Sequence, residues 1–488
     1  MKKSIFKNSI FNMSYKLLNV LFPMITAMYI ARVLLPEGVG KVGYAQNILS
    51  YFTVIASMGI PTYGAREIAR VVLDRKKTDT LFSELFILNF ASTLICSIVY
   101  LALIAFLPTF NNQQVLFLSV GIQLFLNIFN VDWFYSGKEE YVYITVRSTV
   151  IKVVSIICIF LFVKNINDLV LYAFINALAV SGNYLFNVFN LRHRVSLRLK
   201  NLNLVKHLKS VTILLLTTLA TNLYNQIGVT MMGSISSEEQ IGYYTYAIKL
   251  IAIVTSISTA IAITTLPRMS QLHAAKKTND FQELFSKTIS VILVIVVPCI
   301  TGILCVADNA VRFVYGESFL ASASILKIAS PIILIIAISY AYGSIVLTAV
   351  NKEKYLLFAT FAGMTVNIAL NAILIPRFAG IGAALASVCA EFVVLSVHIY
   401  FAKSYIKLNL TLRDKVSLLV SNIGLIVIVL CFEHILVFSH AIALIGSVLA
   451  GIITYGLILI LMKNTVAIWI ARRIGVNKIG PVQKILKL

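Results

Sequence analysis

The chain has 488 residues, enough for two or three soluble domains of ~150 residues each, yet 59% of them are hydrophobic and only 12% charged. A soluble domain has roughly 45–50% apolar and 25% charged residues, so this chain lacks the polar side chains needed to coat a wet surface and reads as an integral membrane protein. Its 41 Lys and Arg against 19 Asp and Glu give a net charge of +22. In a soluble protein that would suggest nucleic acid; in a membrane protein Lys and Arg collect in the loops that stay cytoplasmic.

A helix needs about 20 apolar residues to cross the hydrocarbon core. Along the chain such runs occur at 10–31, 42–65, 81–107, 114–136, 144–163, 168–191, 210–233, 241–266, 286–307, 325–349, 355–375, 381–402, 416–436 and 441–462. The connections are too short for a separate soluble domain, and the runs are too long for barrel strands of about 10 residues. The expected fold is an all-α integral membrane bundle of about fourteen transmembrane helices. The first apolar run is full length and lacks a small-residue cleavage site, so no cleavable signal peptide is expected. All six cysteines (Cys96, Cys158, Cys299, Cys305, Cys389 and Cys431) sit inside apolar runs without a CxxC pair. They read as packing residues, and neither a metal nor a cofactor is expected.

With the N-terminus inside, the alternate inner segments hold 31 Lys and Arg and the outer loops only 5. That split supports an even number of spans with both ends cytoplasmic, and it removes the need for nucleic acid as a partner. The second and eighth spans open alike: Gly40, Tyr44 and Ala45 match Gly242, Tyr246 and Ala247 at a constant offset of 202. That offset covers six spans. An even number implies two six-helix lobes of equal orientation around a central cavity, over 1–209 and 210–403. Two extra helices and a cytoplasmic tail follow over 404–488.

Polar groups at membrane depth are costly, and a mid-helix Lys, Arg or Asp costs ~2.5–3.5 kcal/mol on insertion scales. In the first span Asn8, Asn12, Lys16, Asn19 and Pro23 recur at spacings of 3 and 4, one continuous helical face. Comparable stripes run through Gln46, Asn47 and Ser50; Gln123, Asn127 and Asn130, followed by Asp132; Asn176, Asn183, Asn187 and Asn190; Thr218, Thr221, Asn222, Asn225 and Gln226; and Asn367 and Asn371. Six wet faces imply a shared aqueous cavity or polar seams that glue helices together. Lys16 and Lys249 are the bases placed best for a cavity. Arg147 and Lys152 open the fifth span and point ~140° apart at 100° per residue, so at most one faces a given cavity. Glu391 lies mid-span, with His398 two turns on, and is the candidate for proton or cation coupling.

The stretch Ala31–Tyr44 (ARVLLPEGVGKVGY) resembles the first outer loop of polysaccharide flippases. So do Asp132–Glu139 (DWFYSGKE), Leu266-Pro267-Arg268 and 367–384 (NIALNAILIPRFAGIGAA), in register over the whole chain. The chain thus resembles O-antigen and capsular repeat-unit flippases of the multidrug/oligosaccharidyl-lipid/polysaccharide transporter superfamily. The resemblance implies alternating access of two lobes in the bacterial cytoplasmic membrane. The cargo it implies is an undecaprenyl-diphosphate-linked oligosaccharide for O-antigen, capsule or exopolysaccharide synthesis. Membrane lipids and the glycan polymerase machinery are the further partners. In related lipid II flippases, basic residues of the first, second and eighth helices line the cavity. Lys16 and Lys249 fit two of these, while the second helix here offers Gln46, Asn47 and Ser50 but no base.

The residue chemistry agrees: neutral amides suit sugars, and fixed positive charge at low dielectric suits a diphosphate. The expected substrate-binding set is Lys16, Asn19, Asn47, Asn127, Asp132, Lys152, Asn183, Asn222, Asn225, Gln226 and Lys249. A multidrug cation antiporter of the same superfamily would need acids deep in the cavity, where Glu391 stands alone. A membrane glycan polymerase or ligase would need a large outer loop, and no P-loop, HExxH or nucleophile motif occurs; the protein is read as a transporter, not an enzyme.

Overall fold

A computed structural model describes the backbone of residues 5–191, 194–198, 200, 202–434 and 440–474. Within these, the side chains of 5–21, 109, 188, 260–263, 433–434, 440–441, 471 and 473–474 lie outside the description. The described chain is almost wholly helical, as lipid demands of a backbone that must satisfy its own N–H and C=O groups.

Helices α1 (Ile5–Ser57), α2 (Ile60–Val71), α3 (Arg75–Phe106), α4 (Gln114–Leu126), α5 (Asp132–Gly137), α6 (Tyr141–Phe162), α7 (Leu169–Ser181), α8 (Asn183–Leu191) and α9 (Val205–Ile235) come first. They are followed by α10 (Glu238–Ala274), α11 (Thr278–Tyr315), α12 (Ala321–Ala329), α13 (Pro331–Tyr340), a π-helical segment (Ala341–Leu347), α14 (Lys354–Ala402), α15 (Leu412–His434), α16 (His440–Leu461) and α17 (Thr465–Ile474). Among the described residues, ten helical stretches are long and apolar enough to span a membrane. Two of these each contain a sharp corner. In α1 it falls at Leu35 (φ 58°), just before Pro36, where proline disfavours the helical region for its predecessor. In α14 it falls at Ala379 (φ 45°), three residues past Pro376. Each is therefore two helices. With the shorter Gln114–Phe129 and the more polar α9, these account for the fourteen spans expected from hydropathy. The protein is a multi-pass membrane protein.

Three expected spans are interrupted. The one over 114–136 becomes α4, a single 3-10 turn (Asn127–Phe129) and α5. The one over 168–191 breaks at Gly182. The one over 325–349 passes through the π-helix. Polar residues sit at the first two breaks, where side chains compete for the backbone: Asn183 donates to Val180 O at 2.8 Å, and Asn89 donates to Asn127 O at 2.8 Å.

By internal contacts the chain forms two compact units, Met1–Gly242 and Tyr243–Leu488. In the first, α1 packs on α3, α4, α6 and α9, and α2 packs on α3 and α5. An aromatic core of Phe82, Trp133, Phe134 and Tyr135 joins α3 to α5. In the second, α11 packs on α13, α15 and α16, and α13 with the π-helix packs on α14. The contact division falls one helix beyond the 209/210 boundary of the sequence repeat. The repeat describes topology and the contacts describe packing, so the two divisions need not coincide.

Candidate functional site

Among the described residues, four polar clusters occupy the first unit. One zips the second half of α1 to α9. Asn47, buried, donates to Gln226 O at 2.9 Å and to Gln226 Oε1 at 3.1 Å, while Thr230 donates to Asn47 Oδ1 at 2.7 Å. Tyr51 meets Thr230 at 2.6 Å, and Ser50 donates to Asn222 Oδ1 at 3.3 Å. The residues of α1 lie three and four positions apart, one face of a helix. Two of the expected amide stripes thus satisfy each other. Asn225, on the same helix as Gln226, is exposed.

In the second cluster, Asn127 is buried beneath α3 and the end of α1. It donates to Thr93 Oγ1 at 3.0 Å and accepts from Ser57 at 3.3 Å and Asn130 at 3.1 Å. Its amide oxygen and one amide hydrogen are thereby engaged in holding the 3-10 turn.

The third cluster centres on Asp132 at the start of α5. Arg147 of α6 donates to Asp132 Oδ1 at 2.7 Å, and Asn187 of α8 donates to the same oxygen at 3.2 Å. Arg147 also contacts Asn187 Oδ1 and lies over the Tyr143 ring at 5.1 Å. Its guanidinium is buried, and its Nε has no hydrogen-bond partner. A cavity of about 470 Å³ opens beside this arginine, bounded by Tyr143, Val150, Phe186 and Asn190. The sequence reading placed Arg147 at the membrane edge and did not pair it with Asp132. The available signal was two opposite charges flanking one short connection, since a charge buried in lipid needs a partner. Lys152, also buried, reaches over the Phe22 ring at 5.9 Å. Asn183 is buried with its Oδ1 unpartnered. Lys16 and Asn19 lie on α1, and their side chains fall outside the described residues.

The sequence reading missed Glu84 altogether. This acid, 1% exposed, accepts from Asn203 N at 2.8 Å and from Lys206 at 3.0 Å, and pairs with His207 Nε2 at 2.9 Å. Tyr63 Oη lies 2.8 Å from His207 Nδ1. On the same face of α3, Asp79 accepts from Ser196 N at 3.3 Å and Ser83 from Arg198 N at 2.9 Å. The linker that follows α8 is thereby strapped to α3.

In the second unit Lys249 is half-buried, its ammonium 4.6 Å from the Tyr246 ring centroid. Such a contact favours the cation electrostatically. Tyr246 is itself fixed by stacking on Phe319 at 5.0 Å and by Tyr315 at 4.6 Å. Glu391 lies on α14, half-buried. Two turns on, His398 is buried. Its Nδ1 is 2.8 Å from Ser339 Oγ, and its Nε2 is without a hydrogen bond. The ring fits against the π-helix because Gly343 has no side chain: a Cβ there would lie 2.6 Å from the imidazole.

Comparisons with known proteins agree with this architecture. Residues 5–273 match the family described as polysaccharide biosynthesis protein, and residues 214–373 match the MatE family. The chain is 23% identical over 394 residues to a protein of Escherichia coli (strain K12) named "Putative O-antigen transporter", covering 79% of this chain and 94% of that one. It is 25% identical over 171 residues to the lipid II flippase MurJ of Bacillus subtilis (strain 168), covering 34% of this chain and 31% of that protein. Among solved structures, an inward closed conformation of the lipid II flippase MurJ aligns with a TM-score of 0.74 at 15% identity, over 94% of this chain and 99% of that one. An inward-facing multidrug resistance MATE family transporter of the MOP superfamily aligns with a TM-score of 0.66 at 16% identity, over 81% and 97%. A family match over more than half the sequence identifies this chain as a member of the polysaccharide biosynthesis protein family, and its fold is the one shared by MurJ and MATE transporters.

Proposed function

We propose that the protein is a flippase that carries an undecaprenyl-diphosphate-linked oligosaccharide across the bacterial cytoplasmic membrane by alternating access, with both ends cytoplasmic. The observation that carries this reading is Lys249: an amine on a membrane-spanning helix, held over a fixed aromatic ring and with no carboxylate partner among the described residues. A cation kept at depth is expensive, and a diphosphate passing through the membrane is the kind of ligand that would repay it. Lys16 and Lys152 are the further bases proposed to meet the diphosphate, and Asp132 is proposed to act through Arg147. For the sugars, exposed Asn225 and half-buried Asn222 are accessible in this conformation. Asn47 and Gln226 hold helices together in the same conformation and would reach a sugar only after the α1–α9 zip opens, and Asn127 only after its own cluster with Thr93 and Ser57 loosens. Asn183 and Asn19 complete the proposed set. Glu391 is the proposed coupling acid. The family membership and the names of the relatives support transport rather than catalysis.

The test is a transport or complementation assay of Lys16→Ala and Lys249→Ala, singly and together, with protein levels measured in the membrane. The double variant is expected to lose at least about tenfold in rate, since each buried charge contact is worth ~1.5–3 kcal/mol. Deletion of the gene should leave a lipid-linked oligosaccharide in the cytoplasmic leaflet. Full activity with both amines removed would end the diphosphate role.

A further inference from the structure

The first unit carries a second cavity, of about 580 Å³, between α2, α3 and the start of α9. Its floor is the strap already described. Glu84 takes hydrogen bonds from Asn203, Lys206 and His207, and His207 is held in turn by Tyr63. The other acid on its wall, Glu67, is engaged by Arg66 at 3.1 Å and by Arg70 at 3.0 Å. Both carboxylates are occupied, so the cavity is not built for a cation.

The rim is basic. Lys76 and Lys77 on the first turns of α3, and Lys206 on α9, all line it. Lys77 has Asp74 at 3.4 Å and Lys206 has Glu84, while Lys76 has no ion pair among the described residues. Val71 and Leu81 supply an apolar wall. Immediately beside it, the corner between α2 and α3 presents Leu73, fully exposed at 101%, and Val72 at 39%. An apolar tip collared by bases next to a basic cavity matches a lipid: acyl carbons meet the tip and a headgroup meets the lysines.

We propose that this cavity is a binding site for the phosphate headgroup of an anionic lipid in the leaflet this face borders. Under the topology proposed above that is the cytoplasmic leaflet, but the site does not depend on what the protein transports. Lys76 and Lys77 grip the phosphate, Lys206 closes the far side, and Leu73 sits among the upper acyl carbons. The strap through Glu84 keeps the cavity formed without a ligand.

The experiment uses the full chain in phosphatidylcholine nanodiscs, titrated with short-chain phosphatidylglycerol or with sodium pyrophosphate. Lys76→Gln with Lys77→Gln should weaken phosphatidylglycerol binding by at least about tenfold, given roughly fivefold per basic residue near a charged lipid. Lys276→Gln with Lys277→Gln, equal in charge and exposed at another turn, should change it less than about twofold. Leu73→Ser should weaken lipid binding several-fold and leave any pyrophosphate binding unmoved. Equal losses in the two lysine pairs, or no loss in the first, would overturn the site. Displacement of the lipid by an equal concentration of pyrophosphate would make the ligand a soluble anion and overturn the lipid assignment.

Discussion

Gly40 and Gly242, equivalent positions of the 202-residue repeat, sit in one close backbone contact, Gly40 against Glu238 and Gly242 and Gly242 against Pro36. A Cβ on Gly40 would lie 1.7 Å from Glu238 O and 3.0 Å from Gly242 N, and a Cβ on Gly242 would lie 2.1 Å from Pro36 O. The obstacles are backbone atoms, which cannot swing aside as a side chain would. Gly40→Ala and Gly242→Ala are each expected to destabilise by ~1–3 kcal/mol through overpacking. The double variant should fall short of the sum, because one separation of the two corners relieves both clashes. Thermal unfolding of the detergent-solubilised protein measures all three.

The Asp132–Arg147 pair predicts an asymmetry. Arg147 is buried and Asp132 is partly open, so Asp132→Ala strands a charge in the protein interior and should cost about 3 kcal/mol. Replacing both, as Asp132→Leu with Arg147→Met, should recover most of that stability. Protein level in the membrane reads the stability, and transport at matched level reads the function. Recovery of level without recovery of transport would mark the pair as part of the substrate path.

Asn47 separates a holding role from a binding one. Removing it as Asn47→Ala, or removing one of its donors as Thr230→Val, should each cost ~1–2 kcal/mol, the net worth of a buried hydrogen bond or two. If Asn47 acts only in the zip, both variants should lower transport alike once expression is matched. A much larger transport loss for Asn47→Ala would place it against the sugar when the zip is open.

Glu84 makes a prediction about the linker. Glu84→Ala removes the acceptor shared by Asn203, Lys206 and His207. The cost should be about 3 kcal/mol, because groups gathered around a buried charge lose it together. Limited proteolysis is the sensitive measurement: cleavage within 194–204 should accelerate at least about tenfold relative to wild type, while cleavage elsewhere stays near the wild-type rate. Unchanged protection of that segment would show that Asp79 and Ser83 suffice to hold it.

The sequence by itself determined that this is a fourteen-span helical membrane protein. Hydrophobic run length answers to the thickness of the hydrocarbon core, and that needs no knowledge of packing. It also located the polar faces and the paired glycines, because helical spacing is a property of the chain alone. What it could not decide was what each polar face meets. The stripes through Asn47 and Gln226 looked alike from outside, and only their juxtaposition showed that they bond to each other. Glu84 looked like an acid at the edge of an apolar run, and became the hub of a strap only when residues more than a hundred positions later folded onto it. Arg147 and Asp132 were visible as charges but not as a pair. In lipid a polar group is satisfied by whichever partner the tertiary fold delivers, and the spacing of residues along one helix says nothing of its neighbour.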